Sequence, residues 1–478
     1  MQGLVPTGAL GGCALLSAAV LSFAGAPATQ ATAVPLAPTS WVRISGGTGP
    51  SDAAGAEVGL ARTAGGVLNV VWNRGATKTS IFDTRVSFAG KVLGTNTVIT
   101  GWSGDGGLAL VELPGNTLRL FAAGLAPGTK VNGINTLTAP AAGAPWALAP
   151  NDAWGGLFGE ETPYVGATLT NTGTAVTAWP GYYHVGLASG PAATPIYPDM
   201  GYAELATDQK TGAVVVAGTT ISGKGGTYVK RLLPSVGPAM YLQSASDNPQ
   251  SSGVSSRIGA PGVYVAWADG NAETVKLTRY LGATQTIVHG PLPGGGLGGA
   301  NTTDVFAAPG GRLWVTWYAD RSNYIFVTRS NQAVNRFEPV QMLTLPANSN
   351  GPSPASQVEG NGSAGPLDLF IDTEVGSEQG FMYTHVRALF SLHESPTKLV
   401  LLDKGPVVAL TVADAGDPVP GASVSVDGKH LLTNTSGTVT APLAPGSYTA
   451  HATAPGYLPA SVSFSVPPPK FGRLLLHV

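Results

Sequence analysis

The feature that most constrains the fold of this chain is a repeat of about fifty residues. Each copy has a turn that contains glycine, followed by a run in which apolar residues alternate with others. The run from Gly262 to Trp267 is a clear example. The turn glycines of the successive copies are Gly66, Gly115, Gly173, Gly212, Gly262, Gly311 and Gly365. Alternation with a period of two predicts β-strands, and the glycines predict tight turns between them.

The clearest copies continue alike beyond the glycine turn. An arginine follows a tryptophan by twelve or thirteen residues in three copies, in the pairs Trp72 and Arg85, Trp267 and Arg279, and Trp317 and Arg329. Polar residues typical of turns lie between the two. Each unit therefore reads as strand, tight turn, strand, polar turn, strand, with a fourth strand expected before the next unit. Four-stranded units of this length are typical of β-propeller blades.

We therefore predict an all-β fold whose main part, over residues 41–402, is a β-propeller of about seven four-stranded blades. Six or eight blades remain compatible with the weaker copies. We expect the early strand Trp41–Ile44 to complete the last blade and close the ring, which removes exposed sheet edges. The repeated arginines are interpreted as scaffold residues with packed stems and carboxylate partners. The alternative is that their guanidinium groups bind a substrate carboxylate.

The segment from Leu313 to Ser330 resembles the repeats of sialidase-like propellers of the BNR type in secreted bacterial proteins. Those repeats typically read V-x-W-x-D-x-R and then I-x-x-x-R-S. The Asp-box of that family occurs once in this chain, at residues 103–110, in a form that lacks the threonine and the aromatic residue. The resemblance implies a propeller, and with it the possibility of a sialidase-like glycoside hydrolase.

The C-terminal residues 406–478 have a different pattern. Short alternating strands are separated by turns such as Asp417–Gly421, Asn434–Gly437 and Pro445–Tyr448, followed by Gly456 and Tyr457. This region resembles carboxypeptidase-regulatory-like domains, which are transthyretin-like β-sandwiches attached to other domains. The resemblance implies a sandwich without catalytic activity. The chain contains no His-Glu-x-x-His motif of a zinc peptidase.

The first 33 residues are predicted to be a signal peptide rather than part of the fold. An apolar run from Ala14 to Ala24 precedes the small-residue cleavage pattern Ala31–Ala33. The alternative is a membrane anchor, but the run is short for a membrane span. The single cysteine, Cys13, lies in this segment, so we expect an extracellular mature chain without cysteine and without a membrane span.

Charge limits the partners of this chain. Only 11 % of the residues are charged and the net charge is −2, whereas about 25 % is usual. Without a basic excess, nucleic acid is not expected as a partner. No metal or other cofactor is expected, although the turns at Asp269–Glu273 and Asp320–Asn323 leave calcium as an alternative. The expected partner is a glycan or another cell-surface polymer, bound by a monomer.

The candidate site residues lie in the least repetitive stretch, Ala141–Pro198. Aromatic rings concentrated outside a repeat can line a groove for sugars, so the predicted ligand-binding residues are Trp154, Trp179, Tyr182, Tyr183 and His184. The resemblance to sialidases, which use a tyrosine nucleophile with a glutamate partner, implies Glu160, Glu161 and Tyr164 as catalytic candidates. The alternative for all these residues is packing between irregular blades.

Three hypotheses about function follow. The leading one is a secreted, non-enzymatic binding protein that recognises a glycan or another surface polymer. The second is a sialidase-like glycoside hydrolase, which needs clustered arginines and two carboxylates at one mouth of the propeller. The third is a propeller scaffold that presents its loops to a protein partner. The fold alone does not choose among them, because propellers serve in all three roles.

Overall fold

The computed structural model describes residues 34–35, 40–45, 58–74, 79–103, 106–128, 133–140, 145–149, 154–155, 164–186, 193–196, 200–201, 203–219, 226–242, 251–269, 274–289, 300–319, 323–352, 358–376, 378–395 and 407–468. Within these ranges the regular structure consists of forty β-strands and one short 3-10 helix, Pro309–Gly311. No helix in the described ranges is long and apolar enough to cross a membrane. The predicted all-β fold class is confirmed.

Two short strands, β1 (Val34–Pro35) and β2 (Val42–Arg43), precede the first blade. The first three blades are antiparallel sheets in chain order. Blade 1 contains β3 (Gly59–Arg62), β4 (Leu68–Arg74), β5 (Thr79–Val86) and β6 (Val92–Trp102); blade 2 contains β7 (Leu108–Leu113), β8 (Thr117–Gly124), β9 (Gly133–Pro140), β10 (Ala147–Leu148) and β11 (Trp154–Gly155); blade 3 contains β12 (Gly166–Leu169), β13 (Ala175–Trp179), β14 (Tyr182–Val185) and β15 (Thr194–Pro195).

Four further blades follow. Blade 4 contains β16 (Glu204–Thr207), β17 (Val214–Thr219), β18 (Thr227–Leu233) and β19 (Met240–Leu242); after β20 (Ser251–Ser252), blade 5 contains β21 (Val254–Ser256), β22 (Val263–Asp269), β23 (Thr274–Arg279) and β24 (Thr284–His289); blade 6 contains β25 (Ala300–Ala308), β26 (Arg312–Ala319), β27 (Tyr324–Arg329) and β28 (Gln341–Thr344); blade 7 contains β29 (Ser349–Pro352), β30 (Glu359–Asn361), β31 (Leu367–Val375) and β32 (Glu378–Val386). In blade 6, β1 and β20 add to the two edges of the sheet through parallel pairing.

The turn between the first and second strand of each blade contains a glycine in the left-handed region. The seven turn glycines of the repeat have φ angles between 73° and 120°. Residues with a side chain rarely adopt this backbone conformation, which explains why glycine recurs there. The predicted propeller of about seven blades is confirmed by seven such sheets in the described chain.

The ring of blades closes through the N-terminal segment. The first strands of the seven blades contact one another in chain order, and β30 of blade 7 contacts β3 of blade 1. Strand β2 becomes the outermost strand of blade 7 by antiparallel pairing with β32, with Val42 opposite Tyr383. The Ser45 hydroxyl accepts a hydrogen bond from the Phe381 N–H at 2.9 Å. The predicted closure by the early strand is therefore confirmed.

The hydrophobic cores lie between adjacent blades. Each of the seven blade interfaces in the described chain has its own buried cluster. The repeat tryptophans belong to these clusters and face the third strand of their own blade. Trp72 stacks on Phe82 with ring centroids 4.7 Å apart, and Trp317 stacks on Phe326 at 5.6 Å. The recurring tryptophan is thus an inter-blade packing residue.

The C-terminal region forms a β-sandwich. Its strands are β33 (Ser391–Ser395), β34 (Val407–Asp414), β35 (Asp417–Pro418), β36 (Ser423–Val426), β37 (Lys429–Leu432), β38 (Thr438–Pro442), β39 (Gly446–Thr453) and β40 (Ala460–Val466). In one sheet β34 pairs with β33, β35 and β38; the other has the order β37-β36-β39-β40. Strand β33 falls within the range 41–402 assigned to the propeller, but its hydrogen bonds are to the sandwich strand β34.

The sandwich packs against one face of the propeller. Because every blade is an antiparallel meander, its first-to-second and third-to-fourth turns lie on the same side; we call this side the hairpin face. The sandwich meets the hairpin face at blades 6 and 7, where the Leu458 N–H donates to Ala388 O at 2.8 Å and the Ala388 N–H donates to Gly456 O at 3.1 Å.

Buried charges join the two domains. Asp414 Oδ2 lies 2.7 Å from Arg329 Nη2 and 3.3 Å from Arg312 Nε, and it accepts a hydrogen bond from the Tyr457 hydroxyl at 2.9 Å. The Arg329 guanidinium also pairs with Glu338, 3.3 Å away. The interpretation of Arg329 as a scaffold residue with carboxylate partners is therefore confirmed, and one partner comes from the sandwich.

Candidate functional site

The central channel is the place where all seven blades meet. The first strand of every blade contributes to the wall of one cavity of about 340 Å³, which lies at the small end of the range for ligand pockets. The wall consists of residues 58–60, 108–110, 165–167, 204–205, 254–255, 304–307 and 359–363. A ligand in this cavity would contact the whole ring rather than a single blade.

Glycines allow the first strands to approach one another closely. A Cβ atom at Gly59 would lie 3.1 Å from Leu110 Cβ, and one at Gly360 would lie 2.8 Å from the Phe306 ring. One at Gly253 would overlap the Asp304 carboxylate. The cavity is therefore bounded by tightly packed backbone, and its chemistry depends on the few polar side chains that project from the wall.

Those polar side chains include two glutamates on opposite sides of the ring. Glu204 begins β16 of blade 4, and Glu359 begins β30 of blade 7. The Glu204 carboxylate Oε2 accepts a hydrogen bond from the Val254 N–H of the next blade at 2.9 Å. Asp304, on β25, also lines the cavity, and its Oδ1 accepts a hydrogen bond from the Val305 N–H at 2.6 Å. Three carboxyl groups thus border one small space.

The two glutamates are difficult to ionise together. Burial raises the pKa of Glu204 to about 7, although the hydrogen bond from Val254 opposes part of this rise. Burial also raises the pKa of Glu359 well above its ordinary value, and the negative charge of Glu204 raises that pKa further. The pair therefore holds a proton to a higher pH than two exposed carboxyl groups would. A carboxylic acid beside a carboxylate can both donate and accept hydrogen bonds.

The rest of the wall limits the chemistry available. Among the described lining residues there is no histidine, cysteine, lysine or arginine. No group of three His, Cys, Asp or Glu side chains in the described ranges is arranged to hold a metal ion. The described wall therefore provides hydrogen-bonding carboxyls and apolar surface, without a cationic group for an anionic substrate.

The predicted aromatic residues lie mainly in the interfaces between blades. Trp179 is buried between blades 2 and 3, where the Tyr182 ring stacks beside it at 6.5 Å. Tyr183 points to the other side of the sheet and packs between blades 3 and 4, and His184 is also buried. The structure brings Trp179 and Tyr182 together but separates Tyr183 from them. Ligand binding by these side chains stays a prediction.

The remaining predicted site residues are only partly described. Tyr164 is half-buried and precedes β12, next to the channel residue Val165. The backbone of Trp154 pairs with Ile134 in blade 2, but its side chain lies outside the described residues. Glu160 and Glu161 also lie outside the described residues. Their catalytic role stays a prediction.

Glu204 and Glu359 were not among the residues predicted from the sequence. The available signal was position: Glu204 lies eight residues before Gly212 and Glu359 lies six residues before Gly365, each at the start of a first strand. In a chain with so few charged residues, an acid on the innermost strand of a blade is notable. Only the closed ring shows that the two side chains share a cavity.

Comparisons with known proteins agree with the C-terminal resemblance. Residues 407–476 match the family model described as "Carboxypeptidase regulatory-like domain", which confirms that part of the predicted resemblance. The BNR type of the propeller stays a prediction. No curated protein matches the chain in sequence.

Several solved structures are similar to the chain. Virginiamycin B lyase from Staphylococcus aureus is 11 % identical, with 73 % of this chain and 98 % of that chain covered and a TM-score of 0.45. The BP39L lectin from Burkholderia pseudomallei is 18 % identical, with 69 % and 98 % covered and a TM-score of 0.49. The periplasmic gluconolactonase PpgL from Pseudomonas aeruginosa is 14 % identical, with 64 % and 88 % covered and a TM-score of 0.42. The strand pairing of the described residues by itself defines the seven blades.

Proposed function

We propose that this protein is a secreted, non-enzymatic binding protein that holds a sugar unit of a glycan, or of another surface polymer, in its central channel. The observation that carries the proposal is the pair Glu204 and Glu359 in a cavity of about 340 Å³. A cavity of this size accommodates a small ligand group rather than a long segment of polymer. The polymer would therefore present one unit to the ring.

The charge state of the pair selects the ligand chemistry. A carboxylic acid beside a carboxylate matches hydroxyl groups, because each hydroxyl also donates and accepts hydrogen bonds. An anionic ligand would meet the Glu204 charge with no lysine or arginine among the described lining residues to offset it. Apolar wall residues such as Leu60, Leu110 and Phe306 can contact the C–H surface of a sugar ring. An uncharged sugar fits this wall best.

The hydrolase alternative has less support. It needs arginines that converge on a substrate carboxylate, and the described lining contains none. Its candidate residues Glu160 and Glu161 lie outside the described residues. Secretion is supported by the apolar segment and the cleavage pattern before Val34, since cleavage there leaves β1 complete.

A glycan array probed with residues 34–478 tests the proposal. We expect binding to uncharged glycans, competition by the free sugar, and no turnover of fluorogenic glycosides in the same preparation. Glu359→Leu removes the hydrogen-bonding group and should weaken binding about tenfold or more. Glu359→Gln keeps a donor and an acceptor and should weaken it less. Glu394→Gln, on strand β33 of the sandwich, is the matched control.

Three results would contradict the proposal. They are the absence of glycan binding by the folded chain, turnover of a glycoside, and binding that Glu359→Leu leaves unchanged. Turnover would favour the hydrolase. Absence of both activities would favour the protein scaffold.

A further inference from the structure

Three neighbouring turns on the hairpin face expose aliphatic side chains. They are the third-to-fourth turn of blade 4 and the two hairpin-face turns of blade 5. Their tips carry Val236, Ile258 and Leu281, with exposed fractions of 53 %, 39 % and 69 %. Monomeric proteins expose single apolar side chains routinely, whereas exposed apolar side chains that form a contiguous patch are typical of interaction sites.

Contacts between the turns make this surface continuous. A Cβ atom at Gly237 would lie 3.2 Å from the hydroxyl of Tyr280, which precedes Leu281. A Cβ atom at Gly262 would lie 3.2 Å from Arg279 Nε. The turn with Val236 therefore touches the turn with Leu281, and that turn touches the one that begins with Ile258. The three tips belong to one patch.

Three arginines accompany the aliphatic tips. Arg231 Nε donates to Ser235 O at 3.0 Å, and Arg257 Nε donates to Gly311 O at 2.7 Å. These bonds hold the guanidinium groups against turn carbonyls without neutralising their charge. Arg279 is exposed, and it makes no ion pair with a carboxylate of the described residues, so its predicted carboxylate partner is not found there.

The turns themselves contain no acidic residue. Residues 234–239, 257–262 and 280–283 are all described, and none is Asp or Glu. Asp208, which accepts the Gly262 N–H at 3.0 Å, is buried. We call the set Val236, Ile258, Leu281, Arg231, Arg257 and Arg279 the arginine–aliphatic patch. It combines exposed apolar tips with three arginines that form no ion pair with a carboxylate of the described residues.

The backbone at Leu281 gives an independent reason to regard the patch as functional. Its φ angle is 55°, in the left-handed region where Asn and Gly are favoured and other residues are uncommon. Turn geometry therefore does not account for leucine at this position, and neither does packing, because the side chain is mostly exposed. Strained positions of this kind are concentrated at functional sites.

We propose that the arginine–aliphatic patch docks the protein onto an anionic lipid surface. The aliphatic side chains enter the boundary between headgroups and acyl chains, and the arginines contact the lipid phosphates. The three tips come from separate turns, and a deformable lipid surface can accommodate each of them beside the sandwich, which occupies blades 6 and 7 of the same face. None of the six patch residues lines the channel, so docking does not use the residues proposed to bind the sugar.

Vesicle flotation with residues 34–478 tests the proposal. The folded chain should float with vesicles of phosphatidylglycerol and phosphatidylcholine, and not with phosphatidylcholine alone. Leu281→Asn removes the apolar tip while it suits the turn geometry, and should weaken binding about tenfold. Arg279→Gln should weaken it about fivefold. Leu432→Asn is the control, since Leu432 on the sandwich strand β37 has the same exposed fraction of 69 %.

The proposal fails if the folded chain does not bind anionic vesicles. It also fails if Leu281→Asn and Leu432→Asn behave alike, or if binding is to a soluble polyanion with no preference for a bilayer. Glycan binding measured on the same variants should be unchanged, so a failure here is distinguishable from a failure of the channel proposal.

Discussion

At the scale of single residues, one hydrogen bond recurs in two of the three copies that have the tryptophan-to-arginine spacing. Trp72 Nε1 donates to the Thr84 hydroxyl at 2.9 Å, and Trp267 Nε1 donates to the Thr278 hydroxyl at 2.9 Å. Each threonine lies on the third strand, immediately before the repeated arginine. The bond satisfies a buried indole N–H, which is costly to leave without a partner. The third copy lacks this bond: Trp317 Nε1 is buried without a hydrogen-bond partner among the described residues, and the Thr328 hydroxyl donates to Glu338 O at 2.8 Å. What all three copies share is the packing of the tryptophan between blades.

Removing this acceptor should destabilise the propeller. We expect Thr278→Val to lower the free energy of unfolding by about 1 to 2 kcal/mol, because the Trp267 N–H then remains buried without its acceptor. Urea denaturation measures the change. Thr286→Val, at an exposed position on β24, is the matched control and should have little effect. Equal effects of the two substitutions would contradict the role given to the hydrogen bond.

The channel glutamates should make stability depend on pH. Glu204 has a pKa of about 7 in the folded protein and about 4.5 when unfolded. The folded state therefore holds a proton that the unfolded state releases between these values, so stability falls as the pH rises from about 4.5 to about 7. Above that range this contribution is flat. The pKa of Glu359 is also raised, so this residue adds to the loss of stability as the pH rises.

Glu204→Gln should flatten this dependence. The amide oxygen can still accept the Val254 N–H, but the side chain never ionises, so stability at pH 8 should rise by roughly 2 to 3 kcal/mol relative to the unaltered chain. Thermal unfolding from pH 4 to pH 8 measures the difference. Glu394→Gln should leave the pH curve unchanged. Parallel curves for Glu204→Gln and the unaltered chain would refute the assignment.

At the scale of elements, the closure of blade 7 depends on two residues of strand. Strand β2 contributes its backbone pairing with β32, and flanking residues reinforce it: the Ile44 N–H donates to Phe381 O at 3.0 Å. Strand β1, in contrast, adds to the outer edge of blade 6, which already has its four strands. The two N-terminal strands therefore have unequal importance for the ring.

Truncation should show this inequality. A chain that begins at residue 46 lacks β2 and should lose the closure, with a decrease in Tm of about 10 °C or more, since several hydrogen bonds and a covered sheet edge are lost. A chain that begins at Ser40 keeps β2 and lacks only β1, and should lose a few degrees at most. If the chain that begins at Ser40 lost more stability than this, β1 rather than β2 would be the closing element.

The sequence predicted the elements better than the site. Turn glycines and alternation are local signals, so the blades and their first turns could be read from the chain without tertiary information. The channel glutamates could not, because Glu204 and Glu359 come from opposite blades and share a cavity only in the closed ring. The aromatic stretch misled for a related reason: neighbours on a strand, such as Trp179 and Tyr183, pack into different blade interfaces.

At the scale of the whole molecule, the sandwich and the propeller share a buried ionic interface. The Arg329 guanidinium lies between the rings of Trp314 and Tyr457, 5.2 Å and 5.0 Å from their centroids, and contacts Asp414 of the sandwich. Burial of charge is tolerated here because every group has an opposite charge or a hydroxyl nearby. The network should couple the unfolding of the two domains.

Removing one member should uncouple the domains. Asp414→Ala leaves Arg329 and Arg312 without their shared carboxylate, and we expect a loss of about 3 to 5 kcal/mol. Calorimetry should then show two transitions, where the unaltered chain shows one. Asp427→Asn removes the charge of an exposed pair with Lys429, 4.0 Å apart, suits the positive φ of 51° at this position, and should change little. A single transition in Asp414→Ala would mean that the apolar contacts at this interface suffice.

The closing strand also has a consequence for the order of events during synthesis. Ser45 and its partner Phe381 are 336 residues apart in the chain, so the segment made among the first must wait for one made among the last. Closing a loop of that length carries a large entropic cost and slows folding. Until then the nascent propeller is an open arc, and the blade at each end exposes an apolar face that the closed ring would bury. A chain arrested before blade 7 would keep both faces exposed, and they could associate with a neighbouring copy.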